Sequence, residues 1–275
     1  MPQQCHICFR HCQLDDNQIG FCRARQNRNG TIISLNYGKL TSMALDLIEK
    51  KPLAHFYPGS SILSVGTFGC NLRCPFCQNH TISMAGETDI PTTYVTPKML
   101  VNKALELKKN GNIGIAFTYN EPLIGPEYVR DTAILAHREH LKTVAVTNGS
   151  VSKETALKLL PHLDALNIDL KGFTDEYYHT LGGNLSMVKQ FIQLANESSH
   201  VELTTLVVPG WNDDTKTMKN MAQWIAAVNP EIPLHVSRFF PSYHITNKNP
   251  TRVSTVYELA TIARAYLKYV HIGNC

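Results

Sequence analysis

From residue 61 onward the apolar residues follow two alternating rhythms. Short runs with period-two alternation or continuous apolar character read as strands: SILSVGT (61–67), GIAFTY (114–119), KTVAVTN (142–148), LDALNIDL (163–170), VELTTLVV (201–208) and PLHVSRF (233–239). Between them the spacing lengthens to three and four. In VTPKMLVNKALELKKNG (95–111), Leu100, Ala104 and Leu107 mark a helix. Its start is signalled by Thr96 as N-cap and Pro97 in the first turn, and its end by Gly111. Further helices are predicted at PEYVRDTAILAHREH (126–140), SKETALKLL (152–160), MVKQFIQLANES (187–198), DTKTMKNMAQWIAAVN (214–229) and VSTVYELATIARAYL (253–267). Six strands, each followed by a crossover helix, imply a parallel sheet with helices outside it. A closed eightfold barrel needs more units, so the expected fold is α/β, an open, partial (β/α)6 TIM-like barrel.

The N-terminal region breaks this rhythm. Residues 1–30 form a unit built around CHICFRHCQLDDNQIGFC (5–22), and RARQNRNGTIISLN (23–36) reads as a hairpin turning at Asn29-Gly30. Three regions are therefore expected: a four-cysteine metal-binding lobe at 1–30, a connecting hairpin segment at 31–60, and the barrel at 61–275.

Composition changes this picture little. The 275 residues are 43% apolar and 17% charged, as in an ordinary globular chain, and a net charge of +4 is too small to argue for nucleic acid by itself. No window approaches eighteen consecutive apolar residues, and MPQQCHICFRHC lacks the apolar core of a secretory signal. No membrane span is expected, and a cytoplasmic location is. Arg10, Arg23, Arg25 and Arg28 raise a rival reading, a metal-dependent nucleic-acid binder, but against Asp15 and Asp16 they make a thin basic patch.

Cysteine usage changes the picture most. Seven of the eight cysteines fall in two tight clusters, a spacing that suits metal chelation better than disulfides. Cys5, Cys8, Cys12 and Cys22 supply four thiolates, which close a tetrahedral zinc site or hold an iron–sulfur cluster equally well. His6 and His11 are expected to be solvated. Cys70, Cys74 and Cys77, in GTFGCNLRCPFCQN (66–79), offer three thiolates without a fourth, which suits a cluster whose last iron stays open for a substrate. Cys275 is assigned no role. Chemistry in a barrel collects at the C-terminal strand ends, where the sequence places TYNEP (118–122), TNG (147–149), DLK (169–171), VVPGWNDD (207–214) and SRFFPSYH (237–244). Along 166–171, Leu166, Ile168 and Leu170 alternate with Asn167, Asp169 and Lys171, so one strand face is polar and calls for a polar ligand.

The C-x3-C-x2-C motif, with Phe76 before its last cysteine, resembles the signature of the radical S-adenosylmethionine superfamily. DLK, VVPGWNDD, TNG and an NEP in place of the usual GGE are similar to pyruvate formate-lyase activating enzymes. EKKPLAHFYPGS (49–60), LSVGTFGCNLRCPFCQNHTIS (63–83), FTYNEP (117–122), HVSRFFPSY (235–243) and the leading lobe with RARQNRNG resemble the AmmeMemoRadiSam-system radical enzymes over nearly the whole chain. Proteins of that type often continue into a further cysteine-bearing tail, whereas this sequence stops at IGNC.

The resemblance implies a [4Fe-4S] cluster on Cys70, Cys74 and Cys77, its fourth iron chelated by S-adenosyl-L-methionine. It places Phe76, Asn120, Glu121, Thr147, Asn148, Asp169, Lys171, Val208 and His244 around that cofactor. Glu121 would accept the methionine ammonium and Lys171 would pair with its carboxylate; Val207–Gly210 would offer backbone groups to the adenine. The activating enzymes carry an acid just before TNG, where this chain has Val146. The implied activity is reductive cleavage to a 5′-deoxyadenosyl radical, with an electron donor such as flavodoxin or ferredoxin. The hydrogen donor would be a backbone glycine of a partner enzyme, a small molecule, or a protein of a three-component system. No cysteine lies between Cys77 and Cys275, so the ferredoxin-like insert of many such activators is absent.

Overall fold

A computed structural model describes all 275 residues. One eight-stranded sheet dominates it, comprising β1 (Ser42–Leu47), β2 (Ser61–Gly66), β3 (Asn112–Phe117), β4 (Lys142–Thr147), β5 (Ala165–Asp169), β6 (His200–Val207), β7 (Leu234–Arg238) and β8 (Val270–Gly273). The strands lie side by side in chain order. Pairing is parallel from β2 to β8, while β1 runs antiparallel on the outer edge of β2. The two end strands do not pair, so the barrel is partial, as the strand count predicts.

All six predicted strands and helices form, with ends shifted by up to three residues and the first helix closing in a 3-10 turn over Leu107–Asn110. The helices are α1 (Pro97–Glu106), α2 (Pro126–Arg138), α3 (Lys153–Leu159), α4 (Leu185–Asn196), α5 (Thr215–Val228) and α6 (Val253–Arg264). Thr96 caps α1 by accepting from the Met99 amide, and Gly111 ends that segment at φ 80°, a left-handed conformation that costs glycine little. Two strands escape the sequence pattern. VHIG (β8) is too short to show a period, and SMALDL (β1) leaves Met43, Leu45 and Leu47 exposed, so its alternation does not point to a core.

The polar face read on β5 is the barrel interior. Leu166, Ile168 and Leu170 pack into the large core between sheet and helices, whereas Asn167 turns inward to donate to Pro52 O (2.8 Å) and to accept from Thr204 (2.9 Å). Inside, the lower end is closed by an apolar plug: Ile48, Leu53 and Phe56 pack on Ile62, Ala116, Val144 and Ala165. Beside it sits Glu202, with no exposed surface. Its carboxylate accepts from the Ala54 and His55 amides (2.9 and 2.7 Å) and lies 2.9 Å from His200 Nε2 and 2.6 Å from His235 Nε2. Burial opposes its charge, yet the two imidazoles and two amides hold the carboxyl well below the usual carboxylate range.

Residues 1–34 are short hairpins. Gln3–Gln4 pairs with Gln13–Leu14, and Arg25–Arg28 with Thr31–Ser34. The second turns at Asn29 and Gly30 with φ 51° and 81°, the tight turn predicted for Asn-Gly. The lobe's arginines are largely engaged with protein. Arg10 donates to Asn71 O (2.8 Å) and Gly182 O (2.6 Å), and Arg25 is buried and paired with Glu127 at 2.7 Å. Arg23, beside Asp89 at 3.6 Å, and Arg28 remain exposed.

Candidate active site

The upper mouth of the barrel opens into a cleft of about 280 Å³. Strand β2 delivers the chain to it through Thr67 and Gly69. At Gly69 φ is +90°, and a side-chain Cβ would stand 2.4 Å from Cys22 O, so only glycine fits between the signature loop and the N-terminal lobe. The loop then presents Cys70, Cys74 and Cys77 to the cleft, together with Phe76. Two N–H groups point at the first sulfur: the Leu72 amide at 3.4 Å and the Asn148 side-chain amide at 3.7 Å. Burial pushes the Cys70 thiol well above its ordinary pKa and Cys74 up to about 11. The thiolate forms therefore require a cation to stabilise them.

Across the cleft, Glu121 follows β3 and is 3% exposed. It accepts from Thr147 Oγ1 (2.6 Å), the Asn148 amide (2.7 Å) and the Leu123 amide (3.0 Å). Burial nevertheless raises its pKa to about 7, with the Asp169 charge adding to the effect. From β5, Asp169 and Lys171 reach the same cleft as an ion pair of 2.8 Å. Burial works against the Lys171 ammonium, but Asp169 and Cys74 together raise its pKa well above the ordinary value.

Most of the residues singled out from the sequence thus meet in one place. Cys70, Cys74, Phe76, Cys77, Asn120, Glu121, Thr147, Asn148, Asp169 and Lys171 all line the cleft. Asn120 is turned to its own loop: its amide donates to Thr67 Oγ1 (3.0 Å) and Gly69 O (3.0 Å) and its oxygen accepts from the Thr67 amide (3.0 Å). Val208 and His244 lie outside the lining. Val208 is fully buried against Leu72, Cys74 and Phe76, and its amide is taken by Asn212 Oδ1 at 2.7 Å. His244 is exposed, held by its backbone amide to Pro75 O at 2.9 Å. Thr204 and Ser237 line the cleft without having been singled out. Their signal was present as polar residues within the strands VELTTLVV and PLHVSRF, on the faces that turn inward. Cys5, Cys8, Cys12 and Cys22 also come together, around a separate cavity behind the signature loop.

Comparison with known proteins places this arrangement. The profile of the radical SAM superfamily matches residues 64–222, from β2 into α5. The chain belongs to the radical SAM superfamily. An uncharacterized protein of Methanocaldococcus jannaschii is 40% identical over 274 residues, covering 98% of this chain and 81% of that protein. Pyruvate formate-lyase 1-activating enzyme of Escherichia coli is 27% identical over 161 residues, covering 57% of this chain and 65% of that enzyme. In fold, a radical SAM methyltransferase from Sphaerobacter thermophilus superposes with a TM-score of 0.59 at 17% identity, over 79% of this chain and 67% of that one. A domain of a pyruvate-formate lyase-activating enzyme from Bacteroides vulgatus gives 0.50 at 22% identity, over 58% of this chain and 99% of that domain.

Radical SAM membership implies a [4Fe-4S] cluster and S-adenosylmethionine, and the donor set in the cleft fits both. Three thiols reach the cleft from one loop with N–H groups aimed at Cys70, which is how cluster sulfurs are held. Opposite them stand a carboxylate and an ammonium, counterparts for an amino-acid moiety. No helix of the radical SAM chain is long and apolar enough to cross a membrane.

Proposed function

We propose that this chain binds S-adenosylmethionine in the barrel mouth and cleaves it reductively to generate a radical that abstracts hydrogen from a partner protein. The observation that carries the reading is the convergence of Cys70, Cys74 and Cys77 with Glu121, Asp169 and Lys171 on one cleft. A [4Fe-4S] cluster held by Cys70, Cys74 and Cys77 would supply the electron for reductive cleavage of the cofactor's sulfur–carbon bond. The chain's own residues bind and orient. Glu121 is poised to receive the methionine ammonium, and its carboxylate is fixed beforehand by Thr147, Asn148 and Leu123. Lys171, tied to Asp169, offers its remaining donors to the methionine carboxylate. Phe76, Leu72 and Leu206 supply apolar walls that limit water near the radical. Backbone groups of Val207–Gly210 are a weaker prospect for the adenine, since the Val208 amide is already taken.

The choice of a protein hydrogen donor draws on the relatives that are activating enzymes. Besides the Escherichia coli protein, one acts on isethionate sulfite-lyase (30% identical over 130 residues) and one on 4-hydroxyphenylacetate decarboxylase (25% over 118 residues). A flavodoxin- or ferredoxin-class protein would supply the electron. The test is anaerobic incubation of cluster-loaded protein with S-adenosylmethionine and dithionite, which should yield 5′-deoxyadenosine. Adding a glycyl-radical enzyme as partner should yield a glycyl radical signal in electron paramagnetic resonance. No 5′-deoxyadenosine above the protein-free control would refute the cleavage; 5′-deoxyadenosine without a protein radical would move the reading to a small-molecule substrate.

A further inference from the structure

The N-terminal lobe has almost no apolar core of its own. Within residues 1–30 the buried apolar side chains are Leu14, Ala24 and three cysteines, Cys5, Cys8 and Cys22, with Cys12 partly exposed. All four cysteines are free thiols. The backbone brings all four to the wall of one cavity. The Cys5 amide donates to Cys12 O across the first hairpin (2.9 Å). Cys8 and Cys22 sit in tight turns closed by His11 N to Cys8 O (3.3 Å) and Arg23 N to Gly20 O (2.8 Å). His11 and Arg23 take left-handed φ of 40° and 62° to make those turns. Such strain in non-glycine residues is retained where something overdetermines it.

The four cysteines line a small cavity of about 10 Å³. Arg25 lines it too, is 4% exposed, and its Nε has no hydrogen-bond partner in the protein. A buried N–H without an acceptor is destabilising, so the cavity calls for an acceptor such as a metal-bound sulfur. A single zinc ion would draw the four sulfurs to about 2.3 Å from one centre and leave no space between them. Here a small space remains among the four cysteines.

We propose that Cys5, Cys8, Cys12 and Cys22 ligate a second [4Fe-4S] cluster, closed by four protein thiolates, with the Arg25 Nε donating to one of its sulfurs. It would lie directly behind the signature loop, where Gly69 packs on Cys22 O and the Asn71 side chain stands against Cys8. Asn148 Nδ2 donates to Asn71 Oδ1 at 2.9 Å and reaches Cys70 Sγ at 3.7 Å, so one amide pair links the two cysteine sets.

The test leaves the lobe unaltered. Full-length wild-type protein and a C70A/C74A/C77A variant are reconstituted anaerobically with iron and sulfide, and iron, sulfide and zinc are counted alongside Mössbauer spectra. The expected result is about eight irons and eight sulfides in the wild type and about four of each in the variant, with a [4Fe-4S] spectrum in both. One zinc and no iron in the variant, or no metal at all, would overturn the second cluster. If the variant does not fold, the wild type decides: about eight irons support the proposal, and four irons with one zinc overturn it. Neither negative result touches the reading of the cleft, whose failure would appear as loss of the wild type's other four irons.

Discussion

Two buried glutamates, at opposite ends of the same barrel, are treated by the fold in opposite ways. At the floor, Glu202 meets two backbone amides and two imidazoles and is held ionised, well below the usual carboxylate range. At the mouth, Glu121 meets one hydroxyl and two amides, all neutral donors, with Asp169 near it, and its pKa rises to about 7. Glu202 is enclosed by protein; Glu121 borders an open cleft. A closed carboxylate network is a structural joint, here tying the 52–56 loop across β6 and β7. A carboxylate fixed in place but short of positive charge is prepared for a cation that arrives from outside. Buried charge alone does not distinguish structure from function; the completeness of its partners does.

Four experiments break or sharpen this contrast. The largest effect belongs to neither glutamate. Cys74→Ala should bring reductive cleavage to background, measured as 5′-deoxyadenosine under dithionite; cleavage at the wild-type rate would refute the site. Glu202→Gln should cost about 3 kcal/mol of stability, because it removes a buried charge from two imidazole partners. Cleavage per folded molecule should be unchanged. The pH profile gives the sign. A carboxyl whose pKa is depressed on folding contributes stability that is present above its unfolded value, here 4.5, and is lost as pH falls below it. Thermal denaturation of the wild type should therefore steepen its decline below about pH 4.5, a component that the variant lacks. Glu121→Gln should cost less stability than Glu202→Gln, since one buried donor loses its acceptor but no imidazole partner is lost, while weakening S-adenosylmethionine binding about tenfold to a hundredfold, the worth of a charged hydrogen bond. Titration calorimetry on cluster-loaded protein reads this directly. The smallest effect is expected at His244, which is exposed and outside the cleft. His244→Ala should change that affinity by less than about twofold.

The same contrast explains what was legible beforehand. Cys70, Cys74 and Cys77 are readable because their ligands are close in sequence, and Thr96, Asn29 and Gly111 because capping and turning are local events. Asp169 and Lys171 announced themselves as the polar half of an alternation whose other half is Leu166, Ile168 and Leu170. Glu202 carried no such signal: in VELTTLVV it is one polar residue of a strand, and apart from His200 two residues before it, its partners lie 148 and 147 residues away at the Ala54 and His55 amides or one strand over at His235. Val208 and His244 went the other way. Their motifs bring them near the cleft, but side-chain packing and an intervening Asn212 decide that they do not line it.

The sequence by itself determined the strand–helix alternation, the partial barrel, the two cysteine groups and the superfamily, since each is written in spacing over a few residues or in a motif. Only the tertiary structure decided which polar strand face is the barrel interior, that the four-cysteine lobe backs onto the signature loop through Gly69, and that one buried glutamate is closed while the other stays open. Those outcomes depend on which donors reach a carboxylate or a sulfur from distant parts of the chain. Burial and partner count are properties of the packed molecule, and no local pattern encodes them.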